Sequence, residues 1–182
     1  MATTQAMFTA GDLDDLPDDG KRYEINEGEL VVTPALGIKH QGSALALGAF
    51  LYRAQRAGWG KAIIAPADVI FAEHWTTQPD LMFVRRERLD ILGSKRLSGP
   101  PDLVVEILSP GTRKNDLGWK KRLYARTGVT FYWVVDPKAR TVQSYVLREG
   151  AYVAEPVLRA GAPLSCPLFP AVVLDDVGEL FA

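Results

Sequence analysis

Two carboxylates set inside apolar strands are where this chain points to chemistry. The stretch PDLVVEILSP (101–110) reads as a buried strand, yet Glu106 sits in its middle. QPDLMFV (78–84) does the same with Asp80, directly behind Pro79. Burying an unpaired charge is costly, so buried charges are normally paired or bound to a metal. Strand residues alternate faces, which puts Asp102, Val104, Glu106 and Leu108 on one side. Glu106 comes near the end of its strand, before Ser109-Pro110, where a carboxylate reaches an open sheet edge. Asp80 stands at the start of its own strand, and two acids on neighbouring strands can converge. Converging carboxylates repel unless a cation holds them, and hard oxygen ligands favour Mg²⁺ or Mn²⁺. Without a metal, one of the two should hold a proton.

An amine is close by in the sequence. In DLGWKKRLY (116–124), Leu117, Lys120 and Tyr124 lie at i, i+3 and i+7. That stripe is predicted to pack on the sheet and to bring Lys120 over the strand of Glu106. Lys121 is close to the same face, and spacing alone does not choose between them. Glu24, on the first hairpin, is a fourth candidate. Each residue also has an ordinary reading. Asp80 fits a Pro-Asp strand start, Glu106 a partner for a basic side chain, and Lys120 a snorkelling surface lysine. Asp102 reads as structural. His40 reads as a helix-start or packing residue, with a place on the site rim as the alternative. Asp116 reads as a helix cap or first-turn acid, or an i+4 partner of Lys120. Tyr124, Tyr132 and Trp133 read as core, and His74 as a loop residue.

The elements that must position these groups follow from periodicity and turn chemistry. YEINEGELVVTP (23–34) is a hairpin turning at NEG. A helix is predicted over 39–57, with Leu45, Ala49, Leu51 or Tyr52 and Arg56 on one stripe and Gly58 as its stop. Residues 61–73 are β-rich and broken at Pro66. A strand over 79–85 is followed by a short helix over 86–92 and a strand over 103–108. Asn115 or Asp116 caps a helix that ends at Gly128. VTFYWVVDP (129–137) is a strand ending in an Asp-Pro turn, and two strands flank Glu149-Gly150. The Pro-rich tail is predicted to wrap the sheet edge. This order mixes hairpins with one strand–helix–strand unit, which argues for an α/β (α+β) fold with a mixed sheet flanked by helices.

Composition narrows the classes. The 182 residues suit a single domain, and 47% apolar with 24% charged is ordinary for a soluble globular chain. Apolar runs are too short to span a bilayer, and the first fifteen residues lack the pattern of a secretory leader. The single cysteine, Cys166, excludes an internal disulfide and a cysteine zinc cage. The cytoplasm is the default compartment. A net charge of −1 and a pI near 6.1 count mildly against a protein living on nucleic acid, although RKNDLGWKKR (113–122) offers a local basic patch.

Several of these pieces, taken together, resemble a known family. Pro79-Asp80, a strand with Glu106-Ile107-Leu108 and a helical lysine look like the PD-(D/E)XK nuclease superfamily. The details are similar to its Uma-type restriction endonuclease family of bacteria. The matching pieces are YEINEGELVVTPA, His40, QPDLMFV, PDLVVEILSPGTRKNDLGWKKRLYARTGV and YWVVDP, in the family's order from about Phe8 to Phe181. The superfamily motif has a lysine two residues after the acid, where this chain has Leu108. In this lineage the lysine is thought to have moved to the helix, which matches Lys120 in Asp-x-x-x-Lys-x-x-x-Tyr.

The resemblance implies a restriction endonuclease-like core and metal-assisted hydrolysis of DNA phosphodiesters. Asp80 and Glu106 would hold Mg²⁺ or Mn²⁺ with the Ile107 carbonyl as third ligand. Lys120 would orient the attacking water, and Glu24 would bind a second metal or its water shell. Superfamily nucleases often act as pairs, so a homodimer is expected, with the aromatic, β-rich C-terminal half offering the contact. Two other classes stay open. One is a nuclease-fold protein that no longer cuts and serves binding or assembly. The other, weaker, is glycoside hydrolysis by paired carboxylates, which would not need the lysine.

Overall fold

The structure is a computed structural model that describes residues 7–33 and 36–182. Residues 1–6, part of the stretch read for a leader, and Pro34, the predicted end of the first hairpin, lie outside them. In chain order the strands are β1 (Arg22–Asn26), β2 (Glu29–Thr33), β3 (Gly60–Ile64), β4 (Asp68–Ala72), β5 (Trp75–Thr77) and β6 (Leu81–Arg85). Then come β7 (Arg96–Ser98), β8 (Leu103–Ile107), β9 (Phe131–Asp136), β10 (Thr141–Arg148) and β11 (Ala151–Ala154). They form two mixed sheets rather than the single one expected. One has the order β2-β1-β5-β4-β7 and the other β11-β10-β9-β8-β6-β3. The difference arises at β5 and β7, which are three residues each and carry no apolar run. Their pairing partners are supplied by the tertiary fold, so periodicity had nothing to report.

The larger sheet is covered on both faces. On one side, Leu103, Val105 and Ile107 of β8 meet Leu81 and Phe83 of β6 and Trp133 of β9. Helix α1 (Ile38–Arg56) packs there through Ala44, Leu47, Phe50, Leu51 and Ala54. Of the stripe expected on this helix, only Leu51 is buried; Leu45 and Tyr52 are 74% and 50% exposed. The helix carries apolar residues on both faces, so spacing alone was ambiguous. The C-terminal segment covers the same face rather than the sheet edge. Its Leu164, Phe169, Val172, Leu174, Val177 and Leu180 join this core, and Phe169 meets Phe50 and Phe83 edge-on.

The other face carries Met82, Val84, Val104, Leu108, Tyr132 and Val134, under Val69 of the smaller sheet and Tyr124 of the second helical segment. That segment starts as a short turn, α2 (Arg113–Asn115), widens into a π-type turn over Asp116–Lys120, and continues as α3 (Lys121–Thr127). Gly118 takes a non-helical backbone (φ −104°, ψ −107°) within the wide turn. Gly128, at φ 89°, closes α3 in the left-handed conformation as expected. The predicted cap at Asn115 or Asp116 is not formed, because the segment begins before both. Asp102 is structural, accepting from the Arg85 backbone N–H and from the Arg85 and Arg88 guanidiniums. No helix among the described residues is long and apolar enough to cross a membrane.

Candidate active site

The two acidic residues that interrupt apolar strands are brought together. Leu81 pairs with Val105 across the antiparallel β6–β8 ladder, so Asp80 and Glu106 stand one position further, opposite each other. Strand alternation gives both the parity of Met82 and Val104, so they face the α3 side of the sheet. Both are buried, at 3% and 1% exposure. Asp80 lies where β6 begins, and its Oδ2 accepts the Ile107 N–H at 2.7 Å, a backbone donor that the last residue of β8 leaves free. The nitrogen of Ile107 is what touches Asp80 here, whereas the resemblance implies its carbonyl as a metal ligand.

Lys120 reaches the same centre from the wide turn. Its ammonium is 2.8 Å from Glu24, 3.0 Å from Glu106 and 3.5 Å from Asp116. The buried stripe is Asp116, Lys120 and Tyr124; Leu117, expected on it, is 39% exposed. The i, i+3, i+7 spacing assumed a regular helix, whereas residues four apart face inward across the wide turn. Lys121 points elsewhere, with its ammonium 3.6 Å from the centre of the Tyr145 ring. Glu24 lies on β1 and also accepts the Gln78 N–H at 2.8 Å.

Three further residues complete the centre. Arg22, on the same face of β1 as Glu24, donates to Asp80 Oδ1 at 2.8 Å. His40, in the first turn of α1, places Nε2 3.0 Å from Asp80 Oδ2. Tyr124 donates its hydroxyl to Glu106 at 2.6 Å. The sequence reads Tyr124 as core and His40 as a helix-start or packing residue, with the site rim as the alternative; both touch the acids. Arg22 was not singled out at all, although its alternation with Glu24 on the hairpin was visible. What no local pattern carries is that the hairpin lies over the β6–β8 edge.

The electrostatics are those of an acid-rich, water-poor cluster. Four carboxylates (Asp80, Glu106, Glu24 and Asp116) meet Lys120 and Arg22, with His40 alongside. Burial alone would raise Asp80, but the His40 hydrogen bond, the Arg22 charge and the Ile107 N–H hold it below its usual range. Burial pushes Glu106 up to about 8, against the pull of Lys120 and with the help of Asp116, Asp80 and Glu24. Burial likewise raises Asp116, neither of whose oxygens has a hydrogen-bond partner among the described residues. Burial works against the Lys120 charge, yet Glu106, Glu24 and Asp116 outweigh it and raise the amine well above its ordinary value. The Asp80 side reaches a cleft of about 350 Å³ lined by Lys21, Arg22, His40 and Gln78.

A pH profile follows from Glu106. It keeps its proton to about pH 8 when folded but releases it near 4.5 when unfolded, so the native chain binds more protons between those values. Its contribution to stability is complete below 4.5 and is lost as the pH rises towards 8. Asp80 acts oppositely: its contribution is present above 3.8 and lost on acidification through its lowered value. Scanning calorimetry of the metal-free protein should show a melting temperature that declines from about pH 5 to about pH 8. A flat profile over that window would mean that Glu106 is ionised throughout.

Four carboxylates against two fixed cations leave a surplus of two negative charges when all ionise, which two protons or one divalent cation balance. The raised carboxyls of Glu106 and Asp116 are the sites for those protons. Among the described residues, no three His, Cys, Asp or Glu side chains are arranged to hold a metal by themselves. Mg²⁺ does not need such a cage, since it keeps several waters and takes one or two carboxylates. The hard oxygen donors, the charge surplus and the Asp116 oxygens, which have no hydrogen-bond partner among the described residues, fit that ion.

Comparison with known proteins agrees with the fold. A putative nuclease belonging to DUF820 from Anabaena variabilis ATCC 29413, known from a crystal structure, superposes with a TM-score of 0.80 at 20% identity. The match covers 96% of this chain and 97% of that one, which shows a shared fold. No curated protein matches the sequence. The family Uma2, described as "Putative restriction endonuclease", matches residues 10–176. With its acidic pair on adjacent strands, its helical lysine and a match over nearly its whole length, the chain belongs to the Uma2 family.

Proposed function

We propose that this protein is a metal-dependent nuclease that hydrolyses phosphodiester bonds in DNA. The observation that carries the reading is the placement of Asp80 and Glu106 on one sheet face at adjacent strand positions, with Lys120 on Glu106. Family membership and the name of the Anabaena relative support it. Asp80 and Glu106, with the Ile107 carbonyl, would hold Mg²⁺ or Mn²⁺, which supplies a Lewis acid for the phosphate and lowers the pKa of water. Arg22, 10% exposed at the cleft, is the guanidinium that an incoming phosphate meets, and it suits bidentate phosphate binding. His40 and the Ile107 N–H orient Asp80. Lys120 stays charged, orienting the attacking water and offsetting charge that develops on the phosphate. Glu24 and Asp116 position that amine, and Glu24 is also the residue for a second ion or its water shell.

The decisive test titrates Mg²⁺ and Mn²⁺ against plasmid and single-stranded DNA, using wild type, Asp80→Ala and Asp80→Asn. Wild type should cut only with metal present, and both variants should be inactive while keeping the native circular dichroism spectrum. A wild type that binds DNA but cuts none under any of these conditions establishes the second reading, a nuclease-fold binding or assembly module. The locking of Lys120 by three carboxylates is the observation that favours it. We also propose that the protein works as a homodimer through the β11 edge of the larger sheet, where Val153 and Val157 are about half exposed. A monomer mass by light scattering at micromolar concentration would overturn the pairing.

A further inference from the structure

A second recess lies at the far end of β1 and β5. It has a volume of about 290 Å³ and is lined by Asn26, Glu27, Trp75, Trp119, Arg122 and Arg126. The Arg126 guanidinium sits 4.3 Å from the centre of the Trp75 ring. That contact ties α3 to β5 and accounts structurally for Trp75 and Arg126. It does not explain Trp119, which occupies the wide turn immediately before Lys120 and lines the recess while only partly buried. Nor does it explain Arg122, whose charge is exposed at the same opening.

The position is as informative as the composition. Arg22, Glu24 and Asn26 share one face of β1. Arg22 meets Asp80, Glu24 meets Lys120, and Asn26 lines the recess. Four residues of strand put the Arg22 and Asn26 positions about 13 Å apart, with the acid–lysine centre between them. A few nucleotides cover that distance, at ~3.4 Å per stacked step and more when unstacked. Trp119, beside the edge of the Arg126-covered Trp75, offers flat apolar surface to a base, Arg122 offers charge to its phosphates, and the Glu27 carboxylate accepts from ring or exocyclic N–H groups. A neutral sugar would use the aromatics but leave Arg122 without a role.

We infer that the Trp75–Trp119 recess is a stacking slot for one unpaired nucleobase of the DNA strand handled at the Asp80–Glu106 centre. This rests on the nuclease reading and narrows its substrate to single-stranded or locally opened DNA. Paired bases are stacked on both sides and cannot enter such a slot.

Binding tests it without cleavage. Fluorescence anisotropy in EDTA compares a labelled single-stranded oligonucleotide of mixed sequence with its duplex and with a strand of abasic sites. Wild type should bind the single strand more tightly than either control. Trp119→Ala should weaken single-strand binding on the order of tenfold, and Trp119→Phe should restore most of it, since a smaller ring still stacks. Arg122→Ala, at an exposed position, should weaken binding with increased loss at high salt. Equal affinity for the abasic strand, or wild-type affinity in both Trp119→Ala and Arg122→Ala, overturns the slot. So does binding of duplex alone, or of no nucleic acid. A protein that binds as expected yet never cuts retains the slot and loses the nuclease assignment. One that cuts normally and is indifferent to Trp119→Ala loses only the slot.

Discussion

Replacing Lys120 with methionine should cost about 3–5 kcal/mol of folding stability, the usual result of removing one partner from a buried ion cluster. Its ammonium lies within 3.5 Å of Glu24, Glu106 and Asp116, each about 1% exposed. Methionine preserves most of the volume, so the loss comes from charge rather than from a cavity. The deficit should shrink on acidification, because protons then neutralise the carboxylates that the amine no longer balances. Mg²⁺ should also restore part of it if the ion binds there, since ligand binding to the native state alone is stabilising. On the proposed role, cleavage should fall on the order of 10²–10⁴ when measured at a temperature where the variant is folded. Lys121→Ala is the matched control. It removes an ammonium that rests on Tyr145, worth about 0.5–1 kcal/mol at such a site. If Lys121→Ala were inactive while Lys120→Met cut like wild type, the choice of lysine would be wrong.

Glu106→Gln should separate stability from activity. The native carboxyl keeps its proton to about pH 8, so at pH 7 glutamine replaces a group that is already mostly neutral. Its amide oxygen can accept from the Tyr124 hydroxyl and the Lys120 ammonium, as Glu106 does at 2.6 and 3.0 Å. Glutamine is nearly isosteric, so the melting temperature at pH 7 should hold, with a change within about 0.5 kcal/mol. At pH 9 the variant should be the more stable protein, because it has no buried carboxylate to ionise. Activity should move in the opposite direction. Losing a carboxylate ligand removes several kcal/mol of stabilisation that the ion supplies, which corresponds to a rate loss on the order of 10³ or more. Titration calorimetry with Mg²⁺ should show weaker binding, and the part of the proton release that Glu106 supplies in wild type should be lost. Strong destabilisation at pH 7 would show that Glu106 is ionised in the native protein. Undiminished Mg²⁺ binding would remove it from the ligand set.

Much of the site was legible in the sequence because acids inside apolar strands break a local pattern. Asp80 and Glu106 interrupt PDLM and VVEI respectively, and period-two alternation alone gives each strand's inward set. The hairpin turns at Glu27-Gly28 and Glu149-Gly150 were readable for a similar reason. All four residues have positive φ, which turn-forming residue types signal. Helical spacing, by contrast, misled wherever the backbone left regular geometry. Leu117, Lys120 and Tyr124 would share a face on an ideal helix, but the wide turn at Gly118 turns Asp116 inward and Leu117 outward. α1 misled differently, because apolar side chains on both of its faces satisfy the same period.

The sequence by itself determined which residues could not be left unpaired, and it carried the order of most elements and the family pattern. Only the tertiary structure decided what pairs with them. Asp80 meets His40 and Arg22 across 40 and 58 residues of chain, and Glu106 meets Tyr124 and Lys120 from a different element. Such contacts have no local periodicity, since they depend on how sheets and helices stack. The smaller sheet was hidden for the same reason. β5 and β7 are too short to show a pattern, and they become strands only because β1 and β4 are already in place to bond them. The shift of Glu106 to about 8 likewise belongs to the fold, because burial is its largest cause and a carboxyl in an open chain has none.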